Sequence, residues 1–152
     1  MGMDEIVYTL QQAINEINDG VRRHRLLIIA SCQDISAEHA KAAGVILLNL
    51  NIKMSEKLIN ISRSKRSRTI SAIINEIIED YPKDQTLLVN RFELLFLPEL
   101  EQDPIRLFED LSRERTIVLI WPGVYENGVL SYAQPWHSEY REFAKVDAKI
   151  IY

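Results

Sequence analysis

Thr86-Leu87-Leu88-Val89-Asn90-Arg91-Phe92-Glu93 is the stretch that decides the fold. Its apolar residues run together instead of alternating with polar ones. A strand buried on both faces, as in a parallel sheet, has that pattern. The run ends abruptly at Asn90, and an acid follows at Glu93. Polar side chains at the carboxyl end of such a strand sit where open α/β sheets bind ligands.

Three more runs of the same kind lie along the chain. They are residues 26–30 (Leu-Leu-Ile-Ile-Ala), residues 45–48, continued by Asn49-Leu50-Asn51, and residues 116–121. Helical segments separate them. Ile6, Leu10, Ile14 and Ile17 fall on one face of a helix that Asp4 can cap and Gly20 can end. Ser36 can cap a short helix ending by Gly44. Met54, Leu58 and Ile61 mark another helical face, followed by a basic, serine-rich break at residues 62–68. Ile70, Ile73, Ile74, Ile77, Ile78 and Tyr81 form the clearest stripe, which Pro82 stops. Asp103-Pro104 starts a further helix, with Asp as cap and Pro in the first turn. Beyond Pro122-Gly123, Asn127-Gly128 between apolar residues signals a hairpin. Residues 138–143 suggest a helical turn, and residues 148–152 either a last strand or a frayed end. The expected fold is therefore α/β, three-layered, with a mainly parallel central sheet and a C-terminal β-hairpin. It forms one domain over residues 1–152, with an N-terminal helix in 1–20 and a hairpin and tail in 124–152.

Composition narrows the function. The chain has 152 residues, 47% hydrophobic and 26% charged, with a net charge of −4. That balance argues against a surface that binds nucleic acid everywhere, while leaving room for a local basic patch. Cys32 is the only cysteine, so no disulfide framework forms within the chain. Met1-Gly2-Met3-Asp4-Glu5 lacks the basic and apolar segments of a signal peptide. No apolar run approaches a membrane span. A cytoplasmic protein without membrane contact is expected.

The turn after the first strand, Ser31-Cys32-Gln33-Asp34-Ile35-Ser36, bears on nucleotide chemistry. A P-loop wraps phosphates with Gly-rich backbone, bridges them with a Lys and holds Mg²⁺ with a Ser or Thr. This turn has neither Gly nor Lys, and Asp34 would repel phosphate. In a P-loop nucleoside triphosphatase the place of Asn90 would hold an Asp for Mg²⁺, and Glu93 would orient the attacking water. Asn supplies no charge for that ion. The pattern also fits a plain strand end followed by a loop.

Arg113 and Arg115 flank Glu114 just before the fourth strand. They fit either a solvated helix end or an arginine reaching a neighbouring subunit's phosphates. Arg63, Lys65, Arg66 and Arg68 put four cations in six positions among Ser62, Ser64 and Ser67. That run is either a solvated connection or a clamp for a phosphate backbone. His24, His39, His137 and Cys32 have no zinc-site spacing, so no metal site is expected. Trp121, Trp136 and Tyr140 fit core cover or an interface anchor.

Several short motifs then recur in the order found in one family. They include Leu48-Asn49-Leu50-Asn51, the stretch from Leu87 to Glu93, Gln102-Asp103-Pro104-Ile105-Arg106-Leu107 and Ser112-Arg113-Glu114-Arg115-Thr116-Ile117-Val118. Trp121-Pro122-Gly123, Tyr125-Glu126-Asn127-Gly128 and His137-Ser138-Glu139-Tyr140-Arg141 complete the set. Over residues 26–143 the chain resembles the BrxF family, small P-loop-containing proteins of type III BREX bacteriophage-defence systems. The resemblance implies an AAA-like ATPase core that works with other BREX proteins. It would place the Walker B motif at residues 87–93 and a strand-leading arginine pair at Arg113 and Arg115. The chain departs from the family in lacking the glycine-lysine loop and in carrying Asn90 for Asp.

The leading expectation is a degenerate, non-hydrolysing assembly or regulatory subunit of a BREX-like antiviral defence system, with other defence proteins or further copies of itself as partners. A second is an ATPase active as an oligomer or completed by a partner. There Glu93, Arg113 and Arg115 would be catalytic, and Ser31, Ser36 and Asn90 would hold ATP and Mg²⁺. A third is a DNA-binding module acting through Arg63, Lys65, Arg66 and Arg68.

Overall fold

The computed structural model describes residues 3–20, 23–30 and 35–152. The chain is α/β, with a five-stranded parallel sheet and a separate three-stranded antiparallel sheet. The parallel strands are β1 (Leu26–Ile29), β2 (Ile46–Asn49), β3 (Leu87–Arg91), β4 (Ile117–Ile120) and β8 (Lys149–Ile151). Their order is β2-β3-β4-β1-β8. The opening stretch thus forms β3, beside the central strand β4 rather than at the centre.

Strand residues alternate between two cores, as a pleated backbone requires. Leu26, Ile28, Leu87, Val89, Ile117 and Leu119 face α3 (Leu50–Leu58), α4 (Arg63–Glu79) and α5 (Pro104–Leu111). Leu27, Ile29, Leu88, Val118 and Ile120 face α1 (Met3–Asp19) and α2 (Ala37–Ala43). This makes three layers. The continuous apolar runs follow from burial on both faces.

Most helix signals hold. Gly44 takes the left-handed conformation that ends α2, with φ 74°. The Asp103 carboxylate accepts from the Arg106 N–H at 3.1 Å and caps α5. Residues 63–68 differ from expectation. They are the opening turns of α4, and the break lies before them, at residues 59–62. Arg and Lys are good helix formers, so the basic run continues the isoleucine stripe instead of interrupting it.

The C-terminal region also differs. Asn127 and Gly128 both have positive φ, 52° and 76°, and turn β5 (Val124–Glu126) into β6 (Val129–Tyr132). Residues expected to form a helical turn contain β7 (Arg141–Phe143), which pairs antiparallel with β6. Their strand character comes from pairing with β6 and from the Phe143 ring against Trp121. The tail then adds β8 parallel to β1, so the end of the chain is a sheet edge.

The two sheets meet through aromatic rings. Phe96 stacks on Tyr132 at 3.9 Å between centroids, and Trp121 meets Phe96 and Phe143 edge-on at 5.7 and 5.8 Å. The Trp121 indole N–H donates to the Ser131 carbonyl at 2.9 Å. Gly123 makes this approach feasible. A Cβ at that position would lie 1.9 Å from the Ser131 oxygen. The Trp-Pro-Gly motif is therefore a seam between sheets. Trp136, by contrast, is 83% exposed. No helix among the described residues is long and apolar enough to cross a membrane.

Candidate functional site

Connections determine where a ligand could enter. From β1 the chain passes through α2 to the far edge strand β2, then returns stepwise through β3 to β4. From β4 it crosses past β1 to β8. The chain therefore leaves the neighbours β4 and β1 in opposite directions. Such a switch point opens a crevice at the carboxyl ends of the strands.

A cleft of about 480 Å³ occupies that end of the sheet. Ile35 and Ser36 line it from the approach to α2. Asn90, Arg91 and Glu93 come from the end of β3, and Ile120, Trp121 and Pro122 from the end of β4. Ser36, Asn90 and Glu93, singled out in the sequence, are thus brought together. Ser31 lies outside the described residues, as does most of the turn that contains it.

Asn90 occupies an irregular place. Leu48 pairs with Val89, but the next residue, Asn49, pairs with Arg91. The slip leaves Asn90 without a partner on β2, and the pairing with β4 ends at Val89. Irregularities of this kind re-aim side chains beside sites. The Asn90 Oδ1 is buried and accepts no hydrogen bond from the described residues.

Glu93 is half-buried at the start of a short 3₁₀ turn. The Asn51 side-chain amide donates to Glu93 Oε2 at 2.6 Å. Asn51 Oδ1 accepts from the Leu94 N–H at 3.1 Å. Asn51 therefore clamps both the carboxylate and the backbone of the turn. Sequence reasoning missed it, because Asn51 was read only as the continuation of a strand. The one signal for it was a polar residue beyond the end of β2. Nearby, burial raises the pKa of the Tyr132 phenol above its ordinary value. The negative charges of Glu139 and Glu93 add to that rise.

Ser36 has its own task. Its backbone N–H and its hydroxyl both reach His39 Nδ1, each at 2.9 Å. The hydroxyl is committed to the start of α2.

The two arginines lie elsewhere. Both precede β4, at the amino end of the sheet, opposite the cleft. Arg115 is 2% exposed, and its guanidinium donates to the Tyr81 carbonyl at 2.8 Å and the Pro82 carbonyl at 3.5 Å. It closes the end of the α4 segment. Arg113 is exposed, pairing with Asp110 at 3.6 Å and donating to His24 Nε2 at 3.3 Å. The basic run sits at the start of α4, which runs antiparallel to β3, so it shares the cleft's end of the molecule.

The donor set suits Mg²⁺-triphosphate poorly. Asn90 is neutral, Ser36 is occupied, and the lining contains no lysine. Among the described residues no group of three or more His, Cys, Asp or Glu could hold a metal ion. The arrangement offers a buried amide acceptor, one positioned carboxylate and the exposed Arg91. Compared with known proteins, the chain matches no family model, no curated protein and no solved structure.

Proposed function

We propose that the chain is a P-loop-type module that has lost hydrolysis and serves as an assembly or regulatory subunit, in a phage-defence complex of the BREX kind. One observation carries the loss of hydrolysis. The cleft at the switch point keeps the Glu93 carboxylate but meets it with the neutral Asn90, beside a turn whose sequence has no Gly or Lys. Phosphate and Mg²⁺ handling are weakened together, at the ends of β1 and β3, which flank β4. The defence role rests on the ordered motifs of the C-terminal half and their resemblance to BrxF. Calorimetry and turnover with ATP and Mg²⁺ test the reading. Binding weaker than millimolar and no turnover are expected. Micromolar binding with Mg²⁺-dependent hydrolysis that Glu93→Gln abolishes would overturn it.

A second reading, an ATPase completed by a partner, is favoured by the Asn51 clamp, which keeps Glu93 in place. It requires an oligomer that supplies the missing cation. Light scattering with and without nucleotide tests it, and a monomer under every condition excludes self-completion.

A further inference from the structure

The start of α4 carries Arg63, Lys65, Arg66 and Arg68 within two turns and has no acid in its first turn. This arrangement costs the helix stability. Cations at a helix N-terminus oppose the dipole, and like charges three apart, 63 with 66 and 65 with 68, repel. Elsewhere Lys57 pairs with Glu76, Lys83 with Glu114, Lys149 with Glu16 and Arg113 with Asp110. Among the described residues none of the four has a carboxylate within reach, although the chain holds 22 acids. Arg63, Lys65 and Arg68 are exposed. Arg66 is held by its bond to the Ile61 carbonyl at 3.0 Å. Ser62 and Ser64 approach each other at the tip, and the Ser62 hydroxyl makes no capping bond to the first turn.

We propose that this tip binds the phosphodiester backbone of a nucleic acid. From residue 63 to residue 68 the helix rises about 7.5 Å. That matches the rise across about two phosphates of one B-DNA strand. Three of the four cations are arginines, whose planar fork suits phosphate oxygens. Serine hydroxyls and first-turn N–H groups are further phosphate donors. The run contains no aromatic side chain, so it contacts backbone without stacking on bases. The inference does not depend on the nucleotide reading of the cleft.

Fluorescence anisotropy with labelled 25-mers, as duplex and single-stranded DNA and RNA, tests it from 50 to 200 mM KCl. Binding to at least one strand type is expected, with a log–log salt slope near −3.6 for duplex DNA if all four cations engage, from about −0.9 per phosphate. The triple variant R63Q/K65Q/R68Q should lose at least tenfold in affinity and about 2.7 of that slope. R63K/R68K should keep most of both, which separates charge from folding. K83Q, beyond the far end of α4, should leave binding unchanged. Failure to bind any of the four probes at 50 mM KCl overturns the proposal. So does a triple variant within twofold of the parent, or binding to phosphatidylserine vesicles but to no nucleic acid.

Discussion

Replacing Asn51 with alanine tests whether the cleft is held together by the clamp on Glu93. Asn51 makes two bonds, to the Glu93 carboxylate at 2.6 Å and from the Leu94 N–H at 3.1 Å. A hydrogen bond to a charged group contributes about 1.5–3 kcal/mol, and a neutral one about 1 kcal/mol. Glu93 is half-buried, so water recovers part of the first bond, and the lower end applies. The expected loss is about 2.5 kcal/mol. At about 2–4 °C per kcal/mol for a chain of this size, Tm falls by about 5–10 °C. A cycle with Glu93→Ala isolates the pair, since that change removes only the first bond. Urea unfolding of the parent, both single variants and the double variant should give a coupling of about 1–1.5 kcal/mol. A coupling below about 0.3 kcal/mol, within the usual scatter of independent sites, would refute the clamp.

Four further outcomes follow from the same geometry. Gly123→Ala should destabilise by about 3 kcal/mol or more, because the new methyl meets the Ser131 carbonyl and the Trp121 indole; Trp121 fluorescence should shift red as the seam opens. Arg115→Ala should cost about 2–3 kcal/mol in urea unfolding, since the Tyr81 and Pro82 carbonyls lose a charged donor that is itself buried. Arg113→Ala should cost less than about 1 kcal/mol, as expected for an exposed ion pair. Tyr132→Phe should flatten the alkaline limb of stability. The folded phenol titrates above its ordinary value, so the unfolded chain ionises first as pH rises. The stability of the parent is therefore complete below about pH 10 and declines above it. Unfolding measured at pH 9, 10 and 11 should show the parent losing ground to the variant.

The parallel sheet was legible because burial on both faces forces continuous apolar runs, and four such runs are plain in the chain. The fifth strand was legible only as one of two alternatives, a last strand or a frayed end. Residues 149–151 form a three-residue edge, only partly buried, and so short a segment carries no periodicity. The order of strands was also hidden, because it depends on packing between segments far apart in sequence. Residues 141–143 read as a helical turn because their strand character comes from pairing with β6 and from the Phe143 ring against Trp121. Basic residues 63–68 read as a break because charge was taken for irregularity, whereas unbranched Lys and Arg favour helix.

Within the site, the sequence identified Asn90 and Glu93 but ranked their meanings by motif. Geometry ranks them differently. Glu93 has a structural reason to be present: with Asn51, which lies 42 positions away, it fixes the turn after β3. A carboxylate that helps hold its own backbone turn needs no catalytic role to account for it. Asn90 has no such reason. The register slip isolates it, and its buried Oδ1 accepts nothing from the described residues; an unmet buried acceptor costs about 1–3 kcal/mol. Valine or leucine would continue the strand without that cost. An aspartate would bury a charge at greater cost unless a cation joined it. The neutral amide is thus the polar residue that the cleft tolerates without a resident cation. Its unmet acceptor marks the point where a donor, from water or from a bound molecule, would complete the site.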